Sequence, residues 1–346
     1  MGKIKNIYKD SAGFANLYSE EGKDVDKVLE EELGEAFPAY RDLWNKASNF
    51  EIVPDFPIHL DFQLNYSCNM KCPMCDWSWD NVKGQGKRSW VPIETFHKII
   101  DDGVEKGLKA IGVNWGNEPL IRPDLPEFVA YASQKGVIDI FLHTNGMLLS
   151  EDMSERLIDA GVTRLGVSLD AHTQETYDKI RIGGDLEKVH RNIFNFLEIR
   201  ERKNRRLPVF LLNFVQMPVN THELDGFLEF WRPYADYFAI QNLIDLTVKV
   251  GNVDDAMPEE EIIDFRCGHA MRRGTVMYDG SYLPCCISSY APQLALGNIR
   301  DNTVSEFWNS DTVKELQRIH TNGEYYKNPV CRACVSGCRN IGKTAF

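Results

Sequence analysis

From residue 57 to about residue 242 the chain repeats one unit: a short strand followed by an amphipathic helix. His59-Leu60-Asp61-Phe62-Gln63-Leu64 alternates polar and apolar side chains, as a strand with unlike faces does. Pro92 then opens a helix in which Ile93, Phe96, Ile99, Ile100, Val104 and Leu108 fall on one face. Further strands are expected at Ala110 to Trp115, Ile138 to His143, Arg164 to Leu169, Val209 to Gln216 and Tyr237 to Asn242. Helices are expected at Asp124 to Lys135, Glu151 to Ala160, across 173 to 202 and at Glu223 to Tyr234. Six such units in series require parallel strands with right-handed crossovers, hence an α/β fold. An incomplete (β/α) barrel and an open doubly wound sheet both satisfy that pattern.

The flanks break the rhythm. Residues 1–50 read as a helical N-terminal extension, with Val28, Leu29, Leu33, Phe37, Tyr40, Leu43 and Trp44 at helical spacing and Pro38 as the break. Residues 51–250 hold the repeated units. Residues 251–346 read as a small α+β cysteine-rich domain, with a hairpin turning at Asp279-Gly280 and one helix from Val304 to His320. Polar residues collect just after the strands: Gly116-Asn117-Glu118-Pro119, His143-Thr144-Asn145, Ser168-Leu169-Asp170, Gln216-Met217 and Gln241-Asn242. Carboxyl ends of parallel strands are where such sheets bind ligands.

The nine cysteines stand at 68, 72, 75, 267, 285, 286, 331, 334 and 338. An odd number excludes complete internal disulfide pairing, and two separated groups suggest two metal sites. Cys68, Cys72 and Cys75 follow the first strand as Cys-x3-Cys-x2-Cys. Structural zinc closes a tetrahedron with four protein ligands. Three thiolates instead suit a [4Fe-4S] cluster with one iron left open, and an open iron invites a chelating small molecule.

The segment CNMKCPMC after the first strand, with GNEP after the second, resembles the radical S-adenosylmethionine (SAM) enzymes. The resemblance implies a partial (β/α)6 TIM-like barrel. It implies a SAM-binding [4Fe-4S] cluster on Cys68, Cys72 and Cys75, and SAM near Gly116, Asn117, Glu118 and Pro119. Ser168 and Asp170 stand where the family contacts SAM, and Met74 replaces the aromatic residue common before the last cysteine. Asn145 and Met217, on the same rim, join these as cofactor-binding candidates. Cys267, Cys285, Cys331 and Cys334 resemble an abbreviated SPASM/twitch extension, which implies one auxiliary [4Fe-4S] cluster. Structural zinc on those four thiolates is the alternative. Cys286 and Cys338 are left over.

By the same resemblance, a 5'-deoxyadenosyl radical takes a hydrogen atom from the substrate. An auxiliary cluster then accepts an electron, giving oxidation, or a thiol such as Cys286 or Cys338 returns hydrogen, giving epimerisation. His143 and Arg181 are the expected catalytic rim residues. The expected substrate is a sugar-like small molecule, because an N-terminal segment read as helical lacks the strands of a peptide-binding module. A peptide or protein maturase is the alternative enzyme, and a noncatalytic iron-sulfur or zinc protein the alternative of another class. An electron donor such as flavodoxin or ferredoxin is implied as partner. The net charge of -12, from 39 Lys and Arg against 51 Asp and Glu, argues against nucleic acid. No apolar run is long enough to span a membrane and the first residues lack an apolar leader, so the expected setting is cytoplasmic without membrane association.

Overall fold

A computed structural model describes residues 4–9, 16–20, 23–75, 91–113, 116–243, 262–285 and 294–339. All six expected strands form: β3 (His59–Phe62), β4 (Ala110–Gly112), β5 (Asp139–Thr144), β6 (Arg164–Ser168), β7 (Val209–Gln216) and β8 (Tyr237–Asn242). They lie side by side in chain order and every neighbouring pair is parallel. The partial barrel follows from that order. Asn114 and Trp115, expected at the end of β4, lie outside the described residues.

The flanks differ from the sequence reading in three places. The N-terminal fifty residues are not all helix: β1 (Ile4–Lys9) and β2 (Asn16–Glu20) form an antiparallel hairpin, and β2 pairs antiparallel with β8. Helices α1 (Val25–Leu33) and α2 (Ala36–Ser48) follow, but the break falls at Gly34, whose φ of 68° suits glycine. Pro38 sits in the first turn of α2, where the missing N–H costs nothing. In the C-terminal segment β9 (Arg273–Val276) pairs parallel with β3 and extends the barrel sheet. β10 (Ser281–Leu283) and β11 (Gly297–Asn298) follow antiparallel, giving eleven strands in one sheet among the described residues.

The helices α3 (Ile93–Lys106), α4 (Leu125–Gln134), α5 (Glu151–Ala160), α6 (Gln174–Ile180), α7 (Leu186–Arg202) and α8 (Leu224–Trp231) cover the outer face. The expected helix 304–320 is two: α9 (Val304–Trp308) and α10 (Asp311–Thr321), because Ser310 accepts from the Val313 N–H and starts a new helix. A last helix, α11, spans Pro329–Arg339.

Strand alternation sorts the side chains. Leu60, Phe62, Leu64, Ile140, Leu142, Phe210, Leu212 and Phe214 join the outer core beneath the helices. The intervening residues face inward, and at the amino end of the strands that face is plugged by Phe37, Tyr40 and Trp44 of α2. The Arg272 guanidinium lies 4.3 Å over the Trp44 ring and donates to the Ser48 hydroxyl at 2.7 Å, tying α2 to the start of β9. Higher up, the face turns polar with buried Asp61, Gln63 and Asn213 and half-buried His143. Gly166 leaves room for the His143 imidazole, since a Cβ there would stand 2.0 Å from the ring. Gly166→Ala is therefore expected to cost about 1–3 kcal/mol, read by denaturant unfolding, through displacement of His143. An unchanged midpoint would show that the ring is not confined there.

Candidate functional site: a thiol loop at the carboxyl end of the sheet

The loop after β3 carries Cys68, Cys72 and Cys75, all thiols. The Met70 N–H approaches the Cys68 Sγ at 3.5 Å, and the Cys75 N–H donates to the Cys72 carbonyl at 3.0 Å. Although Cys68 keeps solvent contact, the surrounding protein pushes its thiol up to about 11, with Glu118, Cys72 and Cys75 adding to the rise. The rise at Cys68 is a cost that a bound cationic group would relieve.

Two neighbours brace this loop. The first is the turn after β4. Glu118 donates its N–H to the Ser67 carbonyl at 2.9 Å, and Asn65 donates to the Glu118 carbonyl at 3.1 Å. The Glu118 carboxylate is buried, accepting from the Thr144 hydroxyl at 2.7 Å, the Asn145 N–H at 2.8 Å and the Leu120 N–H at 3.1 Å. Burial raises its pKa to about 6 against those three donors. Pro119 begins a buried 3-10 turn, and Gly116 adopts φ 63°. Asn145 closes the contact, donating to the Asn69 side chain at 2.7 Å and lying 4.0 Å from the Cys68 sulfur.

The second brace is the segment after α6. Arg181 ion-pairs with Asp170, and its other terminal nitrogen lies 3.8 Å from the Cys72 sulfur. The Lys71 N–H donates to the Ile182 carbonyl at 2.8 Å. Gly183 adopts φ 90° with Asn69 close by, and a Cβ on Gly184 would stand 2.4 Å from Met70. Sequence reasoning missed this grip, although the Gly183-Gly184 pair was its visible signal.

The remaining candidates take different positions. Asp170, fully buried at φ 60°, accepts from the Val215 N–H at 2.8 Å as well as pairing with Arg181, so both carboxylate oxygens have protein partners. Met217 is buried in the outer core, and Met74 packs against it half-buried. Ser168 ends β6 in register with Asn213. Burial pushes the His143 imidazole down to about 4, with Asn213 and Asp61 as polar neighbours, so it is neutral near pH 7. Asp61 is buried too, yet Arg273 and His59 hold its carboxyl well below the usual range.

Two sets of atoms bear on whether a chelating cofactor fits. Both polar atoms of the Asn117 amide and the Arg181 Nε are buried without hydrogen-bond partners. They flank the thiol loop from its two braces and offer an acceptor and donors to an amino acid moiety.

The second cysteine group lies beyond β9. Cys267 precedes the turn leading into β9, Cys285 follows β10, and Cys331 and Cys334 stand on α11. Burial pushes Cys267 up to about 12, with Cys334 and Cys285 adding; burial also raises Cys331 far above its usual value, with Cys285, Cys267 and Cys334 adding. The four thiols thus share one neighbourhood. Among the described residues no group of three His, Cys, Asp or Glu side chains is placed to hold a single metal ion. Cys286 lies outside the described residues, and the Cys338 side chain does too, although its backbone continues α11.

The radical SAM superfamily model matches residues 63–230, and the iron-sulfur cluster-binding SPASM model matches residues 267–335. This chain belongs to the radical SAM superfamily. Its cofactors are accordingly a [4Fe-4S] cluster and SAM, with auxiliary iron-sulfur chemistry in the C-terminal domain. The probable GTP 3',8-cyclase of Methanococcus maripaludis is 33% identical over 197 residues, covering 56% of this chain and 63% of the relative. The GTP 3',8-cyclase of Aliarcobacter butzleri is 36% identical over 138 residues, 38% of this chain and 40% of the relative. The chain thus spans less than two thirds of the length of these curated relatives. Among solved structures, Streptococcus suis SuiB bound to precursor peptide SuiA superposes with TM-score 0.63 at 14% identity, covering 98% of this chain and 95% of that one. Native anSMEcpe with bound AdoMet gives 0.57 at 17%, covering 84% and 93%. At such identities these likenesses establish the fold. No helix among the described residues is long and apolar enough to cross a membrane.

Glu118 generates a test with a definite sign. Its folded pKa of about 6 lies above the usual 4.5, so its stabilising contribution is present below pH 4.5 and lost as pH rises through about 6. The stability difference between wild type and Glu118→Gln, followed by denaturant unfolding, should therefore change across that window and level off above it. Glu118→Ala should cost about 2–4 kcal/mol by orphaning three buried donors. A pH-independent difference would show that the carboxyl is not buried as described.

Proposed function

We propose that this protein is a radical SAM oxidoreductase or epimerase acting on a neutral, hydroxyl-rich, carbohydrate-like small molecule. In this reading Cys68, Cys72 and Cys75 hold the SAM-binding cluster, and Cys267, Cys285, Cys331 and Cys334 hold one auxiliary [4Fe-4S] cluster. When bound, the first cluster and SAM supply a 5'-deoxyadenosyl radical that removes a hydrogen atom from an unactivated C–H bond. Gly116 and Asn117 bind SAM from one side and the Arg181 Nε from the other, while Glu118 and Asp170 hold those elements in place. Ser168 and Asn145 complete the rim. His143, neutral and on the inner face, accepts a proton if the substrate carbon is oxidised.

The supporting observation is the chemistry of the inner wall. Both amide atoms of fully buried Gln63 and the hydroxyl of Thr275 have no hydrogen-bond partner, and Asp61 pairs in register with Thr275 across β3 and β9. Such orphaned neutral groups are costly unless a ligand satisfies them. Arg164, Arg181 and Arg273, by contrast, each oppose a carboxylate, on Asp139, Asp170 and Asp61. A nucleoside triphosphate, the substrate class named for the curated relatives, needs uncommitted cations and finds none in these three. A peptide is the second reading. The hairpin β1–β2 supports it, because β1 is the edge of the sheet and an edge strand can add an extended chain.

Anaerobic reconstitution should give about eight irons per chain. Incubation with candidate polyols and amino sugars in deuterated water should yield 5'-deoxyadenosine with either a two-electron loss or deuterium at an inverted carbon. In the inverting case Cys286→Ala or Cys338→Ala should abolish deuterium return. Gln63→Leu should raise KM about tenfold, the worth of one hydrogen bond, while SAM cleavage without substrate is unchanged. Turnover confined to GTP or to a peptide would overturn the proposed substrate class.

A further inference from the structure

His320, on α10, is 2% exposed and stands between two of the four C-terminal cysteines without being a cysteine itself. The Cys267 backbone N–H donates to its Nδ1 at 3.2 Å. Its Nε2 lies 3.4 Å from the Cys331 Sγ, well within N–H···S range. A backbone amide can only donate, so Nδ1 must be the acceptor and the ring proton must sit on Nε2, pointed at sulfur. Ala270, Leu316 and Ile319 pack with Cys331 in one apolar cluster, and the His320 carbonyl accepts from the Gly323 N–H at 3.2 Å. Cys331 is held as firmly: the Asn328 side chain accepts from its N–H at 3.1 Å and from that of Val330 at 3.0 Å, fixing the start of α11.

We infer that His320 is a positioning residue for the auxiliary cluster, donating an Nε2–H hydrogen bond to the ligating sulfur of Cys331 while its Nδ1 orders the backbone at Cys267. The inference rests on the four-cysteine assignment above and adds to it a fifth residue that binds no iron. A hydrogen bond to a cluster thiolate withdraws electron density from the metal and makes the cluster easier to reduce. It also offsets part of the cost of burying four thiolates together. One ring thus orders two ligands supplied by distant parts of the chain, Cys267 before β9 and Cys331 on α11. For a cluster that takes an electron from a substrate radical, an easier reduction is the useful direction.

Wild-type protein is labelled with 15N-histidine, reconstituted anaerobically and reduced, and the auxiliary signal is examined by pulsed electron paramagnetic resonance. A weak nitrogen coupling, as expected for a hydrogen bond through sulfur, supports the assignment. A strong coupling means direct iron ligation and overturns it, and so does an auxiliary signal with no nitrogen coupling. Absence of any auxiliary signal, with about four irons per chain, overturns the four-cysteine cluster and the inference with it. Redox titration supplies the second measurement. In His320→Phe the auxiliary midpoint should move to lower potential while that of the SAM-binding cluster stays put, and His320→Gln, which can still donate to sulfur, should recover part of the shift. Equal midpoints in wild type and His320→Phe overturn the proposal. If His320→Phe does not retain iron, recovery of iron and of the weak coupling in His320→Gln supports it, and failure of that variant to restore either overturns it.

Discussion

Everything in this structure that concerns chemistry depends on the pairing of β3 with a parallel strand on each side. β4 flanks it on one edge and β9 on the other, so one backbone ladder carries the first thiol loop, the Glu118 turn and the approach to the C-terminal cysteines. The His59 N–H donates to the Arg272 carbonyl at 3.0 Å and the Gln63 N–H to the Val276 carbonyl at 2.9 Å. These bonds set the register of β9 against β3, and a one-residue slip would turn Thr275 away from the interior. The C-terminal segment is therefore joined to the barrel through a shared sheet.

Burial of charge imposes the second constraint. The inner face carries Asp61, Asp139 and Asp170, each opposed by an arginine from another element. Such pairs contribute little net stability but strongly penalise any arrangement that separates them. They hold β3 to β9, β5 to β6, and the end of β6 to the loop after α6. Arg181 links that framework to the thiol loop through Cys72. Among the buried groups without a hydrogen-bond partner are the neutral amides of Gln63 and Asn117 and the Thr275 hydroxyl, together with the Arg181 Nε.

Much of the barrel was legible because its signals are local. Ser150 caps α5, whose Met153, Leu157 and Ile158 fall on one buried face, and the boundaries follow the sequence reading. β7 and β8 match likewise, since Val209, Phe210, Leu211 and Leu212 are buried on both faces and read as a continuous apolar run. The thiol loop announced itself by spacing alone. Where local reading went astray, a non-local partner or a cap decided. β2 is a strand because β8 offers it an edge, a fact no window of residues 16–20 contains. Ser310 divides one apolar periodicity into two helices. The grip of Ile182, Gly183 and Gly184 on residues 69–71 joins segments more than a hundred positions apart.

The amino-acid sequence by itself determined the repeated strand–helix units and the residue types of both thiol groups, because periodicity and short spacings act within a few residues, while the order of the parallel strands came from the structure. Only the tertiary structure decided which polar groups are already satisfied. Glu118 and Asp170, read from sequence only as cofactor candidates, also brace the fold through internal hydrogen bonds, whereas Gln63 looked like one more strand residue and proved to be buried without a partner. Hydrogen-bond satisfaction is a property of what surrounds a group, and those surroundings exist only once distant strands have met.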